Sequence, residues 1–131
     1  MNDEQRLELV KLRLENAHRT ISEAKLLLDN EYWNAAVNRM YYACFYAVSS
    51  LLIQYGIESK THNGVRQMLS LHFVKTQKLS THLMDIYSGL FAKRQSGDYD
   101  DFIYFDRDVT EALYPQAVIF IEAIEKIIQS R

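Results

Sequence analysis

Trp33-Asn34-Ala35-Ala36-Val37-Asn38-Arg39-Met40-Tyr41-Tyr42-Ala43-Cys44-Phe45-Tyr46-Ala47-Val48 reads as a helix that is apolar around most of its circumference. An element so poor in polar residues must be covered on several sides, which makes it the central helix of its surroundings. At 100° per residue, Trp33, Val37, Met40, Cys44, Val48, Leu51 and Tyr55 form one stripe. A roughly opposed stripe carries Asn38, Arg39, Tyr42, Tyr46, Ser49 and Ser50. Arg39 and Tyr46 lie two turns apart, ~20° out of line and ~10 Å along the axis. A long cation and a phenol therefore share one otherwise apolar face, and any chemistry is expected there.

The rest of the chain offers partners for that helix. Before it, Leu7, Val10, Leu14, Ala17, Ile21, Ala24 and Leu28 keep a strict heptad spacing, which predicts a first helix from Asn2 or Asp3 to Leu28 with a bundle seam. Its other face (Glu8, Lys11, Glu15, Arg19, Ser22, Lys25) reads as solvated charge. Asp29-Asn30 ends this helix, with Asn30 placed to cap the next. The central helix closes at Tyr55, and Gly56 stands where helices commonly turn left-handed.

After the polar link Glu58-Ser59-Lys60, Thr61 is the predicted N-cap of a shorter third helix carrying Val65, Met68, Leu69, His72 and Phe73. Lys75-Thr76-Gln77-Lys78 is the next break. A fourth helix is predicted from near Ser80, presenting Leu83, Ile86, Tyr87, Leu90, Phe91 and Arg94. Ser96-Gly97-Asp98-Tyr99-Asp100-Asp101 is the most turn-like stretch of the chain. The last helix is expected from Asp106 or Asp108, with Val109, Leu113, Gln116, Phe120, Ala123, Ile124 and Ile127 inward and a bend at Pro115. The expectation is an all-α, up-and-down bundle of four to five helices forming one domain over residues 1–131.

Composition narrows the function classes. A formal charge of −2 argues against coating nucleic acid by bulk electrostatics, while leaving room for a local basic site. The single Cys44 excludes an internal disulfide, and its place on the apolar stripe reads as a buried thiol. The N-terminus lacks a signal-type apolar run and no segment approaches the ~18 apolar residues of a membrane span, so the cytoplasm is the expected location. No paired Cys or His spacing for zinc, no phosphate-binding glycine loop and no glycine-flanked serine is present, so neither a metal nor a cofactor is expected. His18, His62, His72 and His82 are scattered over different predicted helices.

Three clusters remain, each with a structural alternative. Asn38, Arg39, Tyr42 and Tyr46 form a candidate site for chemistry, or a structural arginine with packing tyrosines. Lys60-Thr61-His62 at a helix start could hold a phosphate on free backbone amides, or be a capped, solvated loop. Arg94, Asp98 and Tyr99 are a candidate binding group, or a local ion pair and turn.

In this order, on a chain of this size, the three clusters resemble the HEPN family of small helical domains. The resemblance runs from about Ala17 to about Ile128. It rests on Asn38-Arg39-Met40-Tyr41-Tyr42-Ala43-Cys44-Phe45-Tyr46-Ala47, on Gly56 followed by Lys60-Thr61-His62-Asn63-Gly64-Val65, and on Arg94-Gln95-Ser96-Gly97-Asp98-Tyr99. It implies a bundle that usually dimerises. It also implies kinship with metal-independent ribonucleases, often toxins encoded beside a small nucleotidyltransferase. The family's hallmark is an Arg followed four to six residues later by His on one helix, with two copies meeting at the dimer interface. Cleavage through the 2′-hydroxyl needs a proton acceptor, and the Arg can steady the developing phosphorane charge.

Arg39 matches the first half of that hallmark, while Tyr46 stands near where the His belongs. Imidazole titrates near ~6.5 and phenol near ~10, so Tyr46 is a poor base at neutral pH. The resemblance thus implies a dimer that binds nucleotide or RNA phosphate, with ribonuclease activity weakened or lost, in a toxin–antitoxin-type system with a nucleotidyltransferase partner. Two alternatives stand beside it: an active ribonuclease in which Tyr46 or His62 replaces the missing base, and a protein-interaction module without ligand. The Arg39/Tyr46 face is expected at or near a homodimer interface, because one bundle core accounts for only the first of the two stripes.

Overall fold

A computed structural model describes residues 1–131. Five helices and no strand make up the chain: α1 Asp3–Asp29, α2 Trp33–Gln54, α3 His62–Leu69, α4 Thr81–Tyr99 and α5 Arg107–Gln129. The all-α architecture expected from the sequence is present. α2 is the element that the others cover. α1 makes the most extensive pairing with it, α5 and α4 follow, and α3 closes one end. Val37, Met40, Tyr41, Ala43, Cys44, Ala47, Val48 and Leu51 are fully buried along α2, joined in one core by Phe73, Tyr87, Leu90, Phe120 and Ile124.

The helix starts follow capping chemistry. Asn2 and Gln5 form a reciprocal capping box, and the side chains of Thr61, Ser80 and Asp106 accept from the amides of Gly64, Leu83 and Val109. Asn30 does not cap α2 as expected. Its side chain donates to the Leu26 carbonyl at the end of α1, while Glu31, at φ 65°, turns the chain. Gly56 is left-handed at φ 70°, as its place after α2 predicted. α3 runs on into a wider π-type segment, Ser70–Val74, that buries Phe73.

Two packing expectations shift. On α1, Val10, Ala17, Thr20, Ala24 and Leu28 are buried, whereas Leu14 and Ile21 are half-buried and Leu7 is exposed. The small residues of α1 meet an α2 that also offers Ala36, Ala43 and Ala47. Ser50 of α2 donates to the Val10 carbonyl at 2.7 Å, a close contact that bulky heptad positions would prevent. On α5, the buried line is Thr110, Leu113, Ala117, Phe120, Ile121, Ile124 and Ile128, so Val109 and Gln116 face outward. Pro115 sits on the exposed side of one continuous α5.

The stretch Ser96–Asp101 is the largest correction. α4 continues through Tyr99, and the turn comes only afterwards. Gly97 serves packing here. A Cβ on it would stand 2.8 Å from Cε2 of Phe105, the residue with which the following loop folds back. Asn34 of α2 pins that loop, accepting from the Phe105 amide at 2.8 Å and donating to the Ile103 carbonyl at 3.0 Å.

Candidate functional site

The last two turns of α4 lie beside the polar stripe of α2, and that brings two of the sequence clusters together. Asp98 accepts from Asn38 Nδ2 at 2.8 Å. A carboxylate can only accept, so the Asn38 amide has one orientation, with its oxygen toward Arg39. Arg39 uses it through Nε at 3.1 Å and Nη2 at 2.9 Å. Asn38 is thus a positioning residue for the Arg39 guanidinium, which also lies 3.8 Å from Glu23 of α1 and 5.1 Å from the centre of the Tyr42 ring.

Arg94, read from the sequence as part of a candidate binding group or of a local ion pair, lies in the second half of α4. It is buried. Its guanidinium carbon stands 4.9 Å from the Tyr41 ring, 5.5 Å from Tyr42 and 5.9 Å from the exposed ring of Tyr99. Asp98 is its single counter-ion, at a loose 4.0 Å, and its Nε is buried without a hydrogen-bond partner. Aromatic faces supply part of the stabilisation that a close carboxylate would otherwise provide. A buried guanidinium so incompletely paired retains the capacity to bind an anion.

His62, the first residue of α3, completes the group. Its ring lies 4.4 Å from Phe45 and 5.6 Å from Tyr42, and Nδ1 is 2.7 Å from the Tyr41 hydroxyl. Burial, then the charge of Arg94, lowers the imidazole's affinity for a proton. Burial also raises the Tyr41 phenol, with Arg94 pulling the other way, so the hydroxyl keeps its proton. The protonated phenol can donate to Nδ1 or accept from it; where it donates, the imidazole proton sits on Nε2. In that tautomer His62 presents a hydrogen-bond donor suited to a phosphate oxygen, and in the other Nε2 is a free acceptor.

Tyr42 is the hub: Arg39, Arg94 and His62 all lie against its half-buried ring. Tyr46 continues this face one turn on, its ring 6.2 Å from Tyr42, with its hydroxyl bonded to no protein group. Lys60 does not join. It lines a separate cleft with Arg13 of α1, so the expected Lys60-Thr61-His62 anion cluster is split, with Thr61 spent on capping α3. Tyr41 and Phe45 were missing from the expected site. Their signal was the i, i+4 aromatic pair beside Tyr42, which reads from the sequence as core. None of Arg39, Tyr42, His62 and Arg94 lines any of the five main cavities.

No group of three or more His, Cys, Asp or Glu side chains is arranged to hold a metal ion, and no helix is long and apolar enough to cross a membrane.

Comparison with known proteins places the fold. The HEPN domain family profile matches residues 10–127. A UPF0332 protein of Thermotoga maritima is 40% identical over 113 residues, covering 86% of each chain. A Methanocaldococcus jannaschii protein named as a candidate toxin is 33% identical over 124 residues, 95% of this chain and 84% of its own. The crystal structure of an archaeal HEPN homologue superposes with a TM-score of 0.74 over 91% of this chain and 97% of that one, at 17% identity, a likeness of fold.

Proposed function

Because this chain belongs to the HEPN domain family, we propose that it is a toxin-like HEPN protein that binds RNA or nucleotide phosphate on the Arg39–Tyr42–His62–Arg94 face. Ribonuclease activity on that face is weakened or lost. The observation that carries the reading is the gathering of two guanidiniums and an imidazole around one aromatic ring, with Arg94 Nε buried and without a hydrogen-bond partner. Phosphate takes the guanidiniums, and a base can stack on Tyr42 or Tyr46. What the face lacks is the imidazole that the family's hallmark sets on the same helix as the Arg: Tyr46, a phenol, stands there.

The half-buried Arg39, Tyr42 and Tyr46 of this face support a homodimer in which a second copy covers it, since an aromatic and arginine-rich surface suits an interface core. The names of the relatives support a toxin–antitoxin setting, in which a nucleotidyltransferase is the expected partner. Light scattering is expected to give a dimer at micromolar concentration; a monomer there removes the interface.

The catalytic half of the reading is tested by supplying the base. The wild type is expected to cleave labelled RNA feebly or not at all without metal, and Tyr46→His to raise cleavage. General-base catalysis contributes roughly 10²–10⁴-fold, which bounds the gain. Tyr46→His combined with Arg39→Ala is expected to lose it, because the new imidazole then has no stabilised phosphorane to serve. A folded, dimeric Tyr46→His that stays inert means that Arg39 is structural, and the face is then a protein-interaction surface.

A further inference from the structure

The polar face of α2 does not end at Tyr46. Ser49 and Ile53 continue the line of Tyr42 and Tyr46 toward the helix C-terminus, all within an arc of ~60° on the helical wheel. There they wall a cleft of about 430 Å³. Its polar lining comes from three elements: Arg13 of α1, Ser49 of α2, and Glu58, Ser59 and Lys60 of the α2–α3 connection, over aliphatic side chains that include Leu52. Neither cation is committed elsewhere. Arg13 and Lys60 take part in none of the chain's ion pairs, and Arg13 Nε is buried without a hydrogen-bond partner. Arg6, earlier on α1, is by contrast spent on the Ile53 carbonyl at 2.9 Å.

A half-buried guanidinium nitrogen without a partner is costly, and a second cation across the same cleft adds repulsion. Glu58 offsets one of the two charges and leaves the lining with one excess positive charge. Two hydroxyls, Ser49 and Ser59, stand ready as donors. An oxyanion with several acceptor oxygens satisfies all four groups at once, as a water molecule cannot. Seven residues separate Ser49 from Tyr42, ~10 Å along α2. Along that line the face alternates cation, aromatic and cation: Arg39 and Arg94, then Tyr42 and Tyr46, then Arg13 with Lys60. Proteins that track a single nucleic-acid strand combine cations for the backbone with aromatic platforms for the bases.

We propose that the Arg13–Lys60 cleft is a second phosphate subsite, which holds a further backbone phosphate of the RNA strand engaged at Tyr42; this rests on the function proposed above. It makes the substrate class a single strand of several nucleotides rather than a mononucleotide.

Two measurements test it. Inorganic phosphate titrated into the full protein is expected to move the backbone amide NMR signals of Ser49, Ser59 and Lys60 in the wild type and not in Arg13→Gln. Absence of that response in the wild type overturns the subsite whatever RNA does. Labelled oligouridylates supply the second arm, a dinucleotide against a strand of about eight nucleotides, within the usual span of such sites. Arg13→Gln and Lys60→Gln are each expected to weaken the longer strand several-fold, to reduce its salt dependence by about one counterion and to leave the dinucleotide unchanged. Lys60 is exposed, so Lys60→Gln keeps the test decisive if Arg13→Gln folds poorly. Equal affinity of wild type and both variants for the long strand, while Arg39→Gln weakens it, overturns the subsite and leaves the Tyr42 site standing. A wild type that binds no strand overturns the function proposed above and the strand assignment with it.

Discussion

The two sides of α2 are built to different rules. Toward α1 and α5, Ala36, Val37, Met40, Ala43, Cys44, Ala47 and Val48 are fully buried and close-packed, and burial alone drives the Cys44 thiol pKa far upward. Toward α4 and the α3 start, Asn38, Arg39, Tyr42, Phe45 and Tyr46 are half-buried, and the charges they gather are loosely paired. The first side is complete within one chain. The second leaves donors without acceptors beside exposed aromatic rings, an arrangement that adds little to stability and gains its purpose when something else is bound. The same helix thus carries the fold on one face and the candidate function on the other.

That division is broken most forcefully by a core deletion. Phe120 is fully buried and stacks on Tyr87 at 5.2 Å. Phe120→Ala is expected to cost about 3–5 kcal/mol in a denaturant melt, with the affinity of the folded fraction for RNA unchanged. Leu14→Ala and Ile21→Ala are expected to cost less than that, because both positions are half-buried. A Phe120→Ala protein that keeps its stability but loses RNA would reverse the assignment of the two faces.

Arg94 sharpens the comparison because it is buried yet belongs to the functional side. Replacing a buried, poorly paired ion with an apolar residue of similar length is often neutral or stabilising. Arg94→Met is therefore expected to change stability by no more than about 1 kcal/mol, since Asp98 keeps its bond from Asn38. The same substitution is expected to lower RNA affinity about tenfold, equivalent to roughly 1.4 kcal/mol. A melt showing a loss of several kcal/mol with affinity intact would make Arg94 a structural ion.

How much of this was legible in the sequence follows from the same contrast. Apolar periodicity and capping residues are local signals, so the central helix, the caps at Thr61, Ser80 and Asp106, and the left-handed Gly56 could all be read from the chain. The phase of α1 could not. Its seam is set by how closely two alanine-bearing helices approach, and the heptad pattern does not encode that distance. Gly97 and Asp98 misled for a related reason. Both residue types mark turns, but here the glycine admits the Phe105 ring and the aspartate answers Asn38, and each reason lies on another element. Arg94 looked like a helix-end cation, because nothing local says that Tyr41 and Tyr42 will cover it. The site residues were mostly recognised singly; their convergence on one ring needed α4 and α3 to be placed.

The smallest expected effect concerns His62, where the two faces meet. Its folded-state affinity for protons lies below the ordinary imidazole value, first because of burial and then because of Arg94. The unfolded chain therefore binds more protons than the folded one around that pH, and stability rises with pH through the window. The contribution is complete above about 6.5, the unfolded value, and is lost as pH falls through the lower folded value. Thermal melts of wild type and His62→Gln between pH 8 and 5, on the scale of the ~6.5 imidazole value, are expected to diverge only in the acid half. There the wild type should lose more of its melting temperature than the variant, because protonation sets an imidazolium on a partly buried ring beside Arg94. Loss of RNA binding should not follow the same curve, since a protonated His62 still presents its Nε2 donor and adds positive charge. Parallel melting curves for the two proteins would mean that the ring is solvated enough to titrate freely. The Tyr41–His62 bond would then be a surface contact rather than the hinge between core and candidate site.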